Sequence, residues 1–260
     1  MTQPDDALPA VRRMLEPRSI AVVGASVKSG SLGESMMAEL QRGGFEGAIY
    51  PVNPGYDEVA GLRCYPSITE VPEPVDLAIL GVANQRVEQA LVDAAASGAG
   101  SAVTFSSLYE EPSDGPDLRA RLRAIAVEHG MAMCGGNGMG FMNQISSVRA
   151  TGFLTPEVIR HGPVTFLSHS GSAFSALLRT RRRIGWASAV SSGQELVTTT
   201  ADYVEHALDQ PGTRVVALVL ETLRTTDRLR AALDRAADAL EFYDNKAEAQ
   251  KARRALEPKP

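Results

Sequence analysis

SIAVVGASVKSGSLG, Ser19 to Gly33, is an apolar run that stops dead in glycine and serine. A continuous run such as Ile20 to Val23, with no polar alternation, reads as a strand covered on both faces. Gly24-Ala25-Ser26 ends it, and Gly30 and Gly33 open the next segment, GESMMAELQRGG, whose spacing and glycine stop predict a helix. Glycine permits positive φ and close approach, so backbone N–H groups and a helix N-terminus can face an anion there. The turn therefore reads as a phosphate cradle, with a tight strand-to-helix turn needing small residues for packing alone as the alternative. The spacing is not G-x-G-x-x-G, because Gly24 is followed by Ala and Ser. The second strand ends in Tyr50-Pro51-Val52-Asn53-Pro54, without the acidic residue that holds a ribose 2′-hydroxyl, which disfavours a dinucleotide.

Outward from this stretch the same rhythm repeats. AIYPVNP, VDLAILGV, SAVTFSS and MAMCGGNG read as strands, and NQRVEQALVDAAASGA and DLRARLRAIAVEHG as helices between them. These define a doubly wound α/β domain over residues 1–145. The rhythm restarts with the strand GPVTFLSHSGS, the helix AFSALLRTRRRIG, the strand WASAVSSG, the helix TTADYVEHALDQ and the strand RVVALVLET. A second α/β domain is thus expected over 146–240. It is truncated, because the helix DRLRAALDRAADALE leads into a polar tail, 241–260, where another apolar strand belongs.

With 260 residues, 44% hydrophobic and 22% charged, the chain is an ordinary globular protein long enough for two cores. A formal net charge of −5 argues against a nucleic-acid partner. No apolar run approaches the ~18 residues of a membrane span, and Met1-Thr-Gln-Pro-Asp-Asp is no signal peptide, so a cytoplasmic location is expected. Cys64 and Cys134 lie in neither a CxxC nor a Cys/His metal spacing, which predicts two reduced thiols and no metal site.

Four blocks carry a family resemblance: RSIAVVGAS, then GGFEGAIYPVNPGYDEVAGLRCYPSITEVPEPVDLAILGV, then GNGMGFMNQ, then GPVTFLSHSGS. In this order, over roughly residues 9 to 235, they resemble the NDP-forming acyl-CoA synthetases, relatives of the succinyl-CoA synthetase α subunit. The resemblance implies a Rossmann-like domain that binds coenzyme A and a flavodoxin-like ligase domain after it. It also implies an acid-thiol ligase reaction, in which a carboxylic acid joins CoA through an acyl phosphate and a phosphohistidine that exchanges phosphate with ADP or GDP. ATP or GTP and magnesium would enter only through an ATP-grasp module, carried by a separate subunit or by a longer parent protein, in an oligomeric assembly. A stand-alone CoA-binding or regulatory module is the first alternative and an NAD(P)-dependent oxidoreductase the second.

By that resemblance Gly24, Ala25, Ser26 and Gly33 hold the CoA phosphates, Asn53 and Pro54 line the adenosine side, and Val82 and Ala83 flank the thiol-bearing arm. The family's GPNCLG turn corresponds to Gly135 to Gly140. Asn137 and Gly140 are kept there, while two glycines replace proline and cysteine and leave the turn more flexible. Asn137 is a polar anchor beside the thioester or an Asn suited to a left-handed turn. Ser168, Ser170, Gly171 and Ser172 form a serine-glycine turn at a helix N-terminus, suited to a transferring phosphoryl group. Glu221 matches the glutamate that orients the phosphohistidine, or is an ordinary carboxylate at a strand end. His169 is not read as the phosphocarrier, since the family histidine lies further on in an HTG or HAG turn. That turn is not found, and His129, His161 and His206 fall in or beside helices. Arg181 to Arg183 read as a solvated helix end, Asp202 as a helix cap and Trp186 as core.

Overall fold

The computed structural model describes residues 4–111 and 115–242. Helix α1 (Pro4–Leu15) leads into β1 (Ser19–Val23), α2 (Leu32–Gly43) and β2 (Ala48–Val52). A small hairpin of β3 (Glu58–Val59) and β4 (Leu62–Arg63) precedes β5 (Leu77–Leu80), α3 (Asn84–Ala96), β6 (Ser101–Thr104), α4 (Leu118–Glu128) and β7 (Ala132–Cys134). The first sheet is parallel, in the order β2-β1-β5-β6-β7. Every residue of β5 and β6 is buried, which is why LAIL and SAVT show no alternation. Ser31 caps α2 by accepting the Glu34 N–H at 3.2 Å, and Gly44 stops it at a φ of +74°. Met36, Met37 and Leu40 on its inner face are fully or almost fully buried, each stabilising by about 1.5–3 kcal/mol.

A second sheet contains β8 (Gly140–Asn143), β9 (Val148–Thr151), β10 (His161–Ser168), β11 (Trp186–Ser191) and β12 (Val215–Val219), in the order β12-β10-β11-β8-β9. Helices α5 (Gly171–Leu178), α6 (Thr200–Asp209) and α7 (Thr226–Phe242) connect or follow its strands. β10, β11 and β12 are parallel, while β8 and β9 form an antiparallel hairpin on the β11 side. The crossing from one sheet to the other thus lies between Cys134 and Gly140, and the hairpin strand β8 hydrogen-bonds with the second sheet although it precedes residue 145. One continuous hydrophobic cluster spans both sheets, joining Ile20, Val22 and Leu40 to Phe141, Leu167, Val190 and Tyr203. Val11, Met14 and Leu15 of α1 lie in the same cluster, and the Leu15 carbonyl accepts from Asn143 and Ser146.

Three local expectations are corrected. The helix after Ser170 ends at Leu178, so Arg181 to Arg183 are exposed in the loop before β11 and do not form a helix end. His161 opens a strand and lies in no helix. Of the expected tail, Glu241 and Phe242 end α7, and the rest lies outside the described residues.

Each sheet has one point where its strand order reverses. In the first, the chain leaves β1 for β2 on one side and later adds β5 on the other. In the second, it leaves β10 for β11 and later adds β12 on the opposite side. Ligand crevices in such sheets open at the carboxyl ends of the strands at these points. Gly24 to Gly33 follows β1, and Ser168 to Ser172 follows β10.

Candidate functional site

The turn after β1 is built around two glycines that have no room for a side chain. Gly24 has a φ of +90°, and a Cβ on it would lie 2.5 Å from the Gly81 carbonyl oxygen after β5. A Cβ on Gly33 would lie 2.1 Å from the Gly24 oxygen and 2.8 Å from the Ser26 nitrogen, so the first turn of α2 presses directly on the end of β1. Ala25 is fully buried, whereas Val27, Lys28, Ser29 and Gly30 are exposed. Among the described residues no hydrogen bond takes up the N–H groups of Ser26, Val27 or Leu32, which leaves open donors at the start of a helix. Glu34 is the dissenting charge: its carboxylate already accepts the Gly30 N–H at 2.8 Å.

The neighbouring strand ends complete the crevice. Asn53 donates its side-chain N–H to the Ala25 carbonyl at 2.8 Å and accepts the Gly55 N–H at 2.9 Å, so it braces the cradle. Pro54 beside it is exposed. Tyr56 places its hydroxyl 3.3 Å from the Ser26 hydroxyl. Val82 is half-buried with its carbonyl accepting from Ser106, and Ala83 is exposed at the start of α3. The residues expected to bind CoA phosphates, adenosine and the thiol arm are thus brought to one sheet edge.

Gly135 to Gly140 carries the chain from this edge to the second sheet. Main-chain hydrogen bonds join Asn137 N–H to Ser106, Gly135 N–H to Ser192 and Gln194 N–H to Gly136. A Cβ on Gly136 would lie 2.4 Å from Leu108, and one on Gly138 would lie 2.6 Å from the Ser191 carbonyl. Both extra glycines thus stand where a side chain would crowd its neighbours, Gly138 against backbone. Asn137 has a φ of +52° and is exposed, so its side chain is free while its backbone sits in the left-handed region.

At the second switch point the Ser168 hydroxyl donates to the Ser170 carbonyl at 2.8 Å, and Ser170 caps α5 by accepting the Ala173 N–H. The N–H groups of Gly171 and Ser172 have no partner among the described residues and lie at the accessible end of the helix. Glu221 follows β12 on the adjacent strand, exposed, with its backbone N–H donated to His169 Nδ1 at 3.1 Å. His169 itself is buried, its Nε2 lying 3.0 Å from Glu195 Oε1 and 3.2 Å from Thr200 Oγ1.

Several of these partners escaped the sequence reading. Glu34 was legible as an acid in a first helical turn, but Tyr56, Ser106, Glu195 and Thr200 reach the site only through long-range contacts. Asp202 caps α6 as expected, accepting from the Thr199 N–H at 2.7 Å, and it also pairs with Arg228. Trp186 is buried. Cys64 and Cys134 are free and buried, and burial pushes both thiols up, that of Cys134 to about 12, which disfavours the nucleophilic thiolate at neutral pH. Among the described residues no helix is long and apolar enough to cross a membrane.

The fold and its two switch-point turns define a CoA-binding domain followed by a ligase-type flavodoxin domain. Residues 18–144 match the CoA binding domain family and residues 161–242 the succinyl-CoA ligase like flavodoxin domain family. A trans-feruloyl-CoA synthase from an unknown prokaryotic organism is 36% identical over 235 residues, covering 87% of this chain and 33% of the relative. The ADP-forming acetate–CoA ligase II subunit alpha of Pyrococcus furiosus is 32% identical over 212 residues, covering 80% of this chain and 45% of the relative. The dinucleotide forming acetyl-coenzyme A synthetase 1 of Ca. Korarchaeum cryptofilum, solved with phosphate and ADP, superposes with a TM-score of 0.80 at 29% identity, covering 87% of this chain and 49% of that one. The chain thus matches these two domain families, is similar to these synthetases over 80–87% of its own length, and spans about a third to a half of theirs.

Proposed function

We propose that this chain is the CoA-binding portion of an NDP-forming acyl-CoA synthetase and works with an ATP-grasp partner that supplies the nucleotide chemistry. The overall reaction joins a carboxylic acid to CoA, with an NTP converted to NDP and phosphate. The observation that carries this reading is the pairing of two open helix-start turns, each at the switch point of its sheet and linked by the Gly135 to Gly140 turn. One cradle suits the CoA diphosphate; the other, beside Glu221, suits a phosphoryl group.

In the first, Gly24 and Gly33 keep the backbone bare so that a phosphate can approach the N–H groups of Ser26 and Leu32, while Val82 and Ala83 lie along the path of the pantetheine arm. In the second, the Gly171 and Ser172 N–H groups would stabilise charge on an acyl phosphate, and Asn137 would face the carbonyl at the thioester end. A thiolate attack on the acyl phosphate forms the C–S bond and releases phosphate, so anion donors that persist through the step lower its barrier. The nucleotide and its magnesium would act in the partner.

The phosphocarrier is the part this chain does not present at its turn. Among the described residues His169 is buried with both ring nitrogens engaged, His206 is buried in α6, His129 contacts the Ile125 carbonyl, and His161 lies at the far end of β10. Incubation of the purified chain with ATP or GTP, magnesium, CoA and a panel of acids is expected to yield neither thioester nor phosphohistidine. Turnover by the chain alone that disappears in His169→Ala would overturn this division of labour.

A further inference from the structure

His169 looks at first like half of a catalytic dyad, since Glu195 stands 3.0 Å from its Nε2. The hydrogen bonds argue for a different task. A backbone N–H can only donate, so the Glu221 N–H at 3.1 Å requires an unprotonated Nδ1. The ring proton therefore resides on Nε2, where Glu195 Oε1 and Thr200 Oγ1 stand ready to accept it. Glu195 Oε1 also accepts from Ser192 Oγ at 3.1 Å and from Thr200 Oγ1 at 2.6 Å, which fixes the carboxylate against rotation. Both His169 and Glu195 are more than nine-tenths buried, and Glu195 is held at a φ of +51°, a strained conformation for a non-glycine residue that persists only where its surroundings over-determine it.

We propose that His169 is a positioning residue: a fixed, neutral imidazole, oriented by Glu195 and Thr200, that grips the main chain at Glu221 and so sets where the Glu221 carboxylate stands relative to the Ser168 to Ser172 turn. The network ties together the carboxyl ends of β10, β11 and β12 and the start of α6. The His169 N–H also donates to the Val219 carbonyl at 3.0 Å, so one residue clamps the end of β12 on both sides of Leu220. Its ring faces no open site: it is buried, and both nitrogens are held by protein partners. The inference rests on the reading of Glu221 as a working carboxylate, but its geometry can be tested without that reading.

The test is nuclear magnetic resonance on the full ¹⁵N-labelled chain at neutral pH, with the His169 ring assigned through its own β-protons. The expected spectrum is that of the Nε2–H tautomer, and the Glu221 amide is expected to exchange slowly. In His169→Gln, whose side-chain oxygen can accept the same N–H, that protection should persist within about threefold. In His169→Ala it should fall at least tenfold while the rest of the fold keeps its protection. An Nδ1–H or doubly protonated ring, or a fast-exchanging Glu221 amide in the unmodified chain, overturns the proposal even if no variant folds. A separate ³¹P titration with inorganic phosphate addresses the turn: absence of binding there would remove the reading of the site and leave the positioning result standing.

Discussion

Gly24 and Gly81, at the ends of adjacent parallel strands, approach so closely that a Cβ on Gly24 would stand 2.5 Å from the Gly81 carbonyl oxygen. The obstacle is backbone, which cannot swing aside, and the φ of +90° is one that side-chain-bearing residues rarely adopt. Gly24→Val is therefore expected to weaken CoA binding by at least tenfold, about 1.4 kcal/mol, in calorimetric titration. A folded variant with unchanged affinity would separate the turn from the ligand.

Gly33 gives a stability readout for the same contact. Its added Cβ would lie 2.1 Å from the Gly24 oxygen, so α2 must move off the sheet. Gly33→Ala is expected to lower unfolding free energy by about 1–3 kcal/mol in urea denaturation, as overpacked interiors do. A loss under a few tenths would mean that the helix start is looser than its geometry.

Glu34 sits where the cradle needs an anion and occupies the Gly30 N–H itself. Glu34→Gln should tighten CoA binding by roughly 2- to 5-fold at low salt, the scale of a charge near a helix N-terminus, and the gain should shrink as salt rises. Weaker binding in the variant would show that Glu34 serves the ligand.

His206 predicts an acid-sensitive contact between α1 and α6. Burial pulls its pKa below the usual histidine value, and the opposing charge of Glu16, 3.4 Å away, only partly offsets this, with Asp209 helping and Arg12 opposing. The folded state thus favours the neutral ring, and its contribution is present above the unfolded pKa near 6.5 and lost as pH falls through the lower folded value. Thermal stability should drop from pH 7 to pH 5, and His206→Gln should flatten that part of the profile. An unchanged slope in the variant would assign the acid sensitivity elsewhere.

The sequence made the strand-helix rhythm of both sheets legible because continuous apolar runs and glycine stops are local signals. Helix α1 was not legible: PDDALPAVRRML is short, holds an internal proline and shows its purpose only when Val11, Met14 and Leu15 enter the shared core. The hairpin of β8 and β9 was hidden for a related reason, since GFMN and VRAT are too short to declare a period and gain their place from β11. The helix after Ser170 was read too long because charged residues continue past Leu178, where the chain must turn to start β11. At the site, the turns were legible from small residues at strand ends. The Glu195–His169–Glu221 connection was not, because it joins three strands' ends through side chains far apart in sequence.

The central claim is that the Gly24 to Gly33 cradle is a coenzyme A site, and calorimetric titration of the same preparation with CoA and with NAD tests it most directly. Asn53 ends the second strand's run where a dinucleotide site would carry an acid, and it braces Ala25 at 2.8 Å. The expected result is saturable CoA binding, at least tenfold tighter than NAD and weakened in Gly24→Val. Tighter binding of NAD, or CoA binding indifferent to Gly24, would contradict the account.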